Sequence, residues 1–115
     1  MNTEQRKHGR SKCEFDSFYK NLDPSTSRAT GETVVNDISE GGIRFRVNHF
    51  IPIHNKLLFR INIPNQRCIE AVAQPAWIRE IPNLSQYDIG AKFLSLSQGD
   101  KEIIRQFVSS LPSSV

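Results

Sequence analysis

The stretch Asp37-Ile38-Ser39-Glu40-Gly41-Gly42 joins two segments that have the character of β-strands. Residues 32–35 before it end in two valines, and residues 42–47 after it alternate apolar and basic side chains. Glycine tolerates the positive φ angles of tight turns and lets a ligand approach the backbone, while aspartate and serine supply a hydrogen-bond acceptor and donor. The stretch therefore predicts a strand-to-strand turn that can bind a polar ligand.

A basic segment lies upstream of this turn, where Arg6-Lys7-His8-Gly9-Arg10 carries two arginines four residues apart. Guanidinium groups bind phosphates and the O6/N7 edge of guanine through paired N–H donors. Residues 1–11 contain no apolar residue beyond the first methionine, so we predict that they form a flexible arm and that residues 12–115 form the folded domain. The arm and the turn together indicate a guanine-nucleotide binder.

The order of these motifs resembles the PilZ family, whose members are bacterial receptors for the second messenger cyclic di-GMP. Arg6-x-x-x-Arg10 matches the family's RxxxR arm, and Asp37-x-Ser39-x-x-Gly42 matches its (D/N)xSxxG turn. The apolar run that ends at Ala76-Trp77 and the segment 87–93 also resemble late strands of the family. The resemblance runs from end to end of the chain.

The resemblance implies that cyclic di-GMP binds at these two motifs, through Arg6, Arg10, Asp37, Ser39 and Gly42. In this site the carboxylate would accept hydrogen bonds from guanine, the hydroxyl would bond a base or a phosphate, and the glycine would let the ligand lie on the main chain. We add Gly41 for the same reason as its neighbour. We also add Trp77, because an indole is a good stacking partner for a guanine.

Each of these residues also has an ordinary structural interpretation. The arginine pair fits a solvated basic tail, and the turn fits a hairpin in which Asp and Ser side chains bond local amides. Trp77 fits a packing role on an alanine-rich strand. Four further arginines are weaker candidates for the site, and solvated strand faces account for them: Arg44, Arg46, Arg60 and Arg79. The joint presence of both motifs favours the ligand-binding interpretation.

Short segments with period-two alternation recur along the chain and are followed by one amphipathic segment. Strands are predicted at residues 12–19, 32–35, 42–47, 56–63, 68–79 and 87–94, and a helix follows the capping sequence Ser97-Gln98-Gly99-Asp100. This pattern indicates an antiparallel sheet and is compatible with a barrel or a sandwich. The resemblance implies the PilZ fold, a six-stranded antiparallel β-barrel with a C-terminal α-helix.

Two strands carry more specific expectations. In the strand 42–47, the basic residues Arg44 and Arg46 are predicted to face outward. In the strand 68–79, the residues Ala71, Ala73, Pro75 and Trp77 are predicted to share one face. Proline lacks the N–H that a central strand needs, so its presence there indicates an edge position or a bulge.

Composition and length exclude several classes of protein. A chain of 115 residues with 37% hydrophobic content is expected to form one domain. No segment approaches the roughly 18 apolar residues of a membrane-spanning helix, and none forms a signal peptide, so we predict a cytoplasmic protein without membrane insertion. The cysteines and histidines lack metal-binding or redox spacing, and no nucleophile–base pair is visible. We therefore predict no enzyme activity, no metal and no cofactor.

The predicted function is that of a cyclic di-GMP receptor. Its arm would close over the nucleotide and present a new surface to an effector protein that controls motility, pili, exopolysaccharide production or virulence. One alternative is a PilZ-like docking module that has lost nucleotide binding. Another is a small barrel that binds single-stranded nucleic acid, which would require more exposed aromatic residues than the sequence offers, so we predict no nucleic-acid partner. The sequence leaves open whether one nucleotide or an intercalated pair binds.

Overall fold

The computed structural model describes residues 11–23 and 30–110. In these ranges the chain forms six strands followed by one helix: β1 (Ser11–Asn21), β2 (Thr30–Ile38), β3 (Gly42–Val47), β4 (Leu57–Ile61), β5 (Ile69–Ile81), β6 (Gln86–Ser95) and α1 (Gln98–Ser110). Each predicted strand overlaps one observed strand, and the predicted helix is present. The two arm residues, Arg6 and Arg10, lie outside the described residues.

The six strands close into a barrel in the order β1-β2-β3-β6-β5-β4. Every neighbouring pair is antiparallel, and β1 completes the ring by pairing with both β2 and β4. Closure satisfies the backbone hydrogen bonds that an open sheet would leave at its edges. The barrel predicted through the family resemblance is confirmed, and the sandwich alternative is excluded.

The barrel interior is filled by alternate side chains of all six strands. Phe45 and Phe59 are fully buried and meet edge to face, with ring centroids 4.8 Å apart. Phe15 is fully buried and receives Phe107 of α1 at a centroid distance of 5.2 Å. Each fully buried side chain of this size contributes about 1.5–3 kcal/mol of transfer free energy. The helix therefore buries its apolar face against the barrel.

The start of α1 is fixed as the capping sequence predicts. The Ser97 hydroxyl accepts a hydrogen bond of 3.0 Å from the amide of Asp100, and the Ser97 carbonyl accepts one of 2.9 Å from Lys101. The Asp100 carboxylate accepts a hydrogen bond from the Glu70 amide and forms an ion pair of 2.8 Å with Arg67. This carboxylate therefore links the helix to β5 and to the loop before it.

An irregularity near Asn36 reverses the alternation of β2. The register with β3 shifts between Val35 and Asp37, so that both Val35 and Ile38 belong to the core. Asp37 is paired with Arg44, whose side chain lies on the outer surface. The shift therefore turns the carboxylate of the turn motif away from the core and toward the outside of the barrel.

A second irregularity, near Ala76, reverses the inward–outward alternation of β5. The register with β6 shifts between Pro75 and Trp77, which confirms the predicted bulge, although β5 lies inside the closed ring and is not an edge. Pro75 is buried, Trp77 is 42% exposed, and Ile78 packs against the core. The prediction that Trp77 shares a face with Ala71, Ala73 and Pro75 is wrong, because the extra residue turns the strand over at this point.

Candidate functional site

The turn between β2 and β3 is held by three hydrogen bonds. The amide of Ser39 donates to the carbonyl of Gly42 at 2.9 Å, and the amide of Gly41 donates to the Ser39 hydroxyl at 3.1 Å. The amide of Phe93 donates to the carbonyl of Gly41 at 2.9 Å, which attaches the turn to β6. The serine hydroxyl thus stabilises the turn as an acceptor, and its proton has no acceptor among the described residues.

The two glycines of the turn have different roles. A Cβ atom on Gly42 would lie 2.2 Å from the carbonyl oxygen of Ala91, whereas one on Gly41 would lie 3.7 Å from its nearest neighbour. Neither glycine has a φ angle in the left-handed region, so the turn does not use the positive φ that glycine tolerates. The turn closes with ordinary backbone angles, and Gly42 is required because β6 passes too close for a side chain.

The strand registers place four residues side by side on the outside of the barrel. Asp37 on β2 pairs with Arg44 on β3, Arg44 pairs with Gly90 on β6, and Gly90 pairs with Trp77 on β5. Directly opposed residues on neighbouring strands have Cβ atoms only about 4.5–5.5 Å apart. The turn carboxylate and the indole therefore belong to one continuous transverse row, which we call the ligand row.

Trp77 occupies the space that Gly90 leaves empty. A Cβ atom at position 90 would lie 2.3 Å from both Nε1 and Cε2 of the indole. Only glycine allows the ring to lie this close to the backbone of β6. The guanidinium carbon of Arg79 is 5.9 Å from the ring centroid, which is within cation–π range. The ring is thus held against the sheet while 42% of the residue remains exposed.

Asp88 lies beside the ligand row and is only 1% exposed. Its Oδ2 accepts a hydrogen bond of 2.8 Å from Nη2 of Arg79. Its Oδ1 lies 3.4 Å from Nε of Arg44, an ion pair without a hydrogen bond between these two atoms. The side chains of Arg44 and Arg79 are 29% and 68% exposed, so one buried carboxylate is paired with two partly exposed arginines.

The alternation of β3 predicts the outward direction of Arg44 but not its shared partner. Solvated strand faces are the expected explanation for Arg44 and Arg79, whereas both are ion-paired to the same aspartate. The available signal was the alternation of β6, which puts Asp88 and Gly90 on the same face as the outward arginines. Recognising the connection requires the registers of β3, β5 and β6.

The comparison with protein families identifies the chain. The family model for the PilZ domain matches residues 4–110. The chain belongs to the PilZ domain family. No curated protein sequence matches it significantly.

Solved structures share the fold of this PilZ domain at low sequence identity. The inhibitor of motility MotI/DgrA from Bacillus subtilis matches with a TM-score of 0.75 and 19% identity over 93% of this chain. The match covers 51% of the Bacillus protein, so this chain spans about half its length. The PilZ domain with c-di-GMP of YcgR from Escherichia coli matches with a TM-score of 0.68 and 15% identity, over 94% of this chain and 92% of that one.

A third match is the PilZ domain of CeSA from a cellulose-synthesizing bacterium, with a TM-score of 0.57 and 14% identity. It covers 87% of this chain and 94% of that one. At these identities the three likenesses establish the fold of the PilZ domain described here. They agree with the observed barrel and its C-terminal helix.

The structure brings most of the predicted site residues of this PilZ domain onto one side of the barrel. Ser39, Gly41 and Gly42 form the turn at the end of the ligand row, and Asp37 and Trp77 belong to the row itself. Asp37 is 1% exposed, so a ligand reaches its carboxylate only when the groups that cover it move aside. The other two predicted ligand residues, in the arm, fall outside the described part of the chain.

The turn of the PilZ domain is also tied to α1. The Glu40 carboxylate accepts hydrogen bonds from Nε of Arg105 at 2.9 Å and from Nη2 at 3.0 Å. Arg105 also binds Glu102 one turn earlier on the helix. The hydrogen bonds from Arg105 hold the pKa of Glu40 below its ordinary value. The tip of the β2–β3 turn is therefore linked to the helix by an ion pair with two hydrogen bonds.

A polar groove at the start of α1 lies away from the ligand row and is lined by Arg60, Asn62, Arg67, Cys68 and Asp100. Its arginines are already paired, Arg60 with Glu70 at 3.1 Å and Arg67 with Asp100 at 2.8 Å. Within the described ranges, no group of three or more His, Cys, Asp or Glu side chains is placed to hold a metal ion. No helix of the described part is long and apolar enough to cross a membrane.

Proposed function

We propose that this PilZ domain is a receptor for cyclic di-GMP. The observation that carries the proposal is the ligand row, in which the turn carboxylate Asp37 and the exposed indole of Trp77 lie on the same outer face. A related PilZ domain, that of E. coli YcgR, is described with c-di-GMP. Both family motifs for this ligand are present in the sequence.

The chemistry of the face suits a guanine nucleotide. Asp37 accepts hydrogen bonds from N1–H and the N2 amino group of a guanine, and the Ser39 hydroxyl donates its free proton to a base or a phosphate. Gly41 is exposed and leaves the backbone of the turn accessible. Trp77 offers a stacking surface to a base, an interaction worth about 1–3 kcal/mol.

The arm supplies the remaining charge. We propose that Arg6 and Arg10 bind phosphates or the O6/N7 edge of guanine through their planar forks and close over the nucleotide. Charge-assisted hydrogen bonds contribute about 1.5–3 kcal/mol each. Micromolar binding requires about −8 kcal/mol in total, so a few such contacts together with stacking are sufficient.

The proposed output is a change of surface that an effector protein recognises. Closure of the arm has an entropic cost that burial of apolar groups does not offset, because residues 1–11 have no apolar residue beyond the first methionine. This cost lowers the affinity for the ligand, but closure couples binding to a change in shape. The likeness to an inhibitor of motility supports motility as one output, and pili, exopolysaccharide production and virulence remain the others. We further propose that the domain acts in the cytoplasm as a binding module without catalytic activity.

Titration calorimetry with cyclic di-GMP tests this function directly. We expect micromolar or tighter binding, and much weaker binding of GTP, cyclic di-AMP and a short single-stranded oligonucleotide. Double replacement of Arg6 and Arg10 by alanine is expected to weaken binding by at least roughly tenfold, the effect of losing about 1.4 kcal/mol. Binding of the oligonucleotide in place of the dinucleotide would overturn the proposal in favour of a nucleic-acid binder. Binding of neither ligand would favour a protein-docking module.

A further inference from the structure

Arg44 in the ligand row and Arg79 beside it are two arginines that belong to neither family motif. We propose that Arg44 and Arg79 contact cyclic di-GMP directly and that Asp88 is the positioning residue that holds both of them. This inference rests on the proposed function and adds specificity-determining residues to the same face. It follows from the burial of one carboxylate, from two ion-pair distances and from the strand register.

Asp88 fixes the two guanidinium groups before any ligand arrives. Its carboxylate is 1% exposed, and a buried charge is costly unless it is paired. The hydrogen-bonded pair to Arg79 at 2.8 Å and the ion pair to Arg44 at 3.4 Å, which has no hydrogen bond between its two atoms, compensate this charge and hold both side chains close to it. Restraint of flexible side chains in the free protein reduces the entropy that ligand binding would otherwise cost.

Arg44 is placed to read the second edge of the guanine that Asp37 recognises. The two residues are directly opposed on β2 and β3, with Cβ atoms about 4.5–5.5 Å apart in such pairs. In guanine the N1–H donor adjoins the O6 acceptor, and N7 follows on the same side of the ring. A carboxylate and a guanidinium side by side therefore complement both edges of one base. Adenine carries an amino group where guanine has O6, so the same arginine disfavours it.

Arg79 lies at the other end of the row, next to Trp77. Its guanidinium is 5.9 Å from the Trp77 ring centroid and uses Nη2 to bind Asp88, while the side chain is 68% exposed. Because most of this side chain is exposed, its remaining N–H groups can contact a nucleotide whose base lies on the indole. The Arg79 guanidinium can bind a phosphate of this nucleotide through hydrogen bonds, or it can contact the face of the base through a cation–π interaction.

The test is calorimetric titration of cyclic di-GMP into variants that keep the charge but remove the planar fork. Arg44→Lys and Arg79→Lys are each expected to weaken binding roughly tenfold, because an ammonium group does not reproduce bidentate contacts. Arg60→Lys is the matched control, since Arg60 is an exposed arginine on β4 that is paired with the carboxylate of Glu70 on β5, outside the row. It is expected to bind as the parent does.

The variant Asp88→Asn distinguishes the positioning of the two arginines by Asp88 from an effect of the net charge of this face. The change keeps the shape of the side chain but makes the face more positive by one unit, so a purely electrostatic role of the face predicts tighter binding of the anionic ligand. The positioning role predicts weaker binding, because both arginines lose their anchor. Equal or tighter binding by a folded Asp88→Asn protein overturns the positioning role. If thermal melting shows that this variant is unfolded, the two lysine variants decide the inference.

The failure of this inference is distinguishable from that of the proposed function. If the parent binds cyclic di-GMP and both Arg44→Lys and Arg79→Lys bind it equally tightly, the second arginine pair is not a ligand contact, while the receptor function stands. If the parent itself does not bind, the receptor function is overturned and this inference with it. Weaker binding by both lysine variants and parent-like binding by Arg60→Lys is the supporting result.

Discussion

The indole of Trp77 lies against the backbone of Gly90, so close that a Cβ atom at position 90 would be 2.3 Å from Nε1 and Cε2 of the ring. The absence of a side chain at Gly90 on β6 thus leaves the space that the Trp77 ring on β5 occupies. The bulge at Ala76 is the second requirement, because without the extra residue the tryptophan would point into the barrel. Two local features of neighbouring strands therefore produce one exposed aromatic surface.

Gly90→Ala is expected to push the indole off the sheet. Overpacking of this kind costs about 1–3 kcal/mol, although an exposed ring can relieve part of it by moving outward. Trp77 is the only tryptophan of the chain, so its fluorescence reports the displacement as a shift to longer wavelength. Affinity for cyclic di-GMP should fall in parallel. Unchanged emission and unchanged affinity would show that ligand binding does not need the close packing of the Trp77 ring on the Gly90 backbone.

Gly42→Ala is expected to destabilise the barrel more than Gly41→Ala does. The added methyl at position 42 meets the carbonyl oxygen of Ala91 at 2.2 Å, and a backbone atom in a paired strand has little freedom to yield. At position 41 the nearest atom is 3.7 Å away, an ordinary contact. We expect a loss of about 1–3 kcal/mol for the first variant, which lowers the melting temperature of a small domain by several degrees. Equal melting temperatures would contradict the steric account.

The ion pair between Glu40 and Arg105 predicts a pH dependence. Hydrogen bonds from Arg105 lower the pKa of Glu40 below its ordinary value of 4.5, so the folded state binds this proton less readily than the unfolded state. The stabilisation is therefore present above the ordinary value and is lost as the pH falls through the lower pKa of the folded protein. Arg105→Gln should raise the pKa of Glu40 toward its ordinary value in an NMR titration, whereas Arg60→Gln should leave it unchanged. An unaltered titration in the Arg105 variant would show that the pair does not form in solution.

Cys68 is expected to be a slow nucleophile. Burial is the main cause that raises the pKa of its thiol, and the thiolate is the reactive form. In a Cys13→Ser background, which leaves one thiol, alkylation by iodoacetamide near neutral pH should be slower for the folded protein than for the protein in denaturant. The rate of the folded protein should rise with pH beyond the range in which an ordinary cysteine has already ionised. Equal rates in the folded and denatured states would contradict this expectation.

The alternation of apolar and polar residues is sufficient to predict an antiparallel sheet, whereas its closure into a barrel follows only from the family resemblance. The run Ile43, Phe45 and Val47 is buried as predicted, and the outward direction of Arg44 follows from the same period. The failure at Trp77 has a single cause, since one extra residue reverses every later side chain of a strand and leaves no compositional mark beyond a nearby proline.

The candidate site was only partly predictable for a related reason. The turn residues are contiguous in the chain, so their chemistry is visible as a motif. The cluster of Asp88 with Arg44 and Arg79 is assembled from three strands, and its members become neighbours only when the register of each strand is known. Likewise, the requirement for Gly42 comes from the approach of Ala91 on β6, a strand far away in the sequence, whereas the sequence suggested a tolerance of positive φ and the approach of a ligand.

The most direct test of the central claim is a ¹H–¹⁵N correlation spectrum of the labelled protein recorded during titration with cyclic di-GMP. We predict that the largest shifts occur at the amides of residues 37–44 and 88–90 and at the indole N–H of Trp77, with little change around Arg60 and Asp100 in the groove at the start of α1. The absence of shifts at saturating dinucleotide, or shifts confined to that groove, would contradict the account.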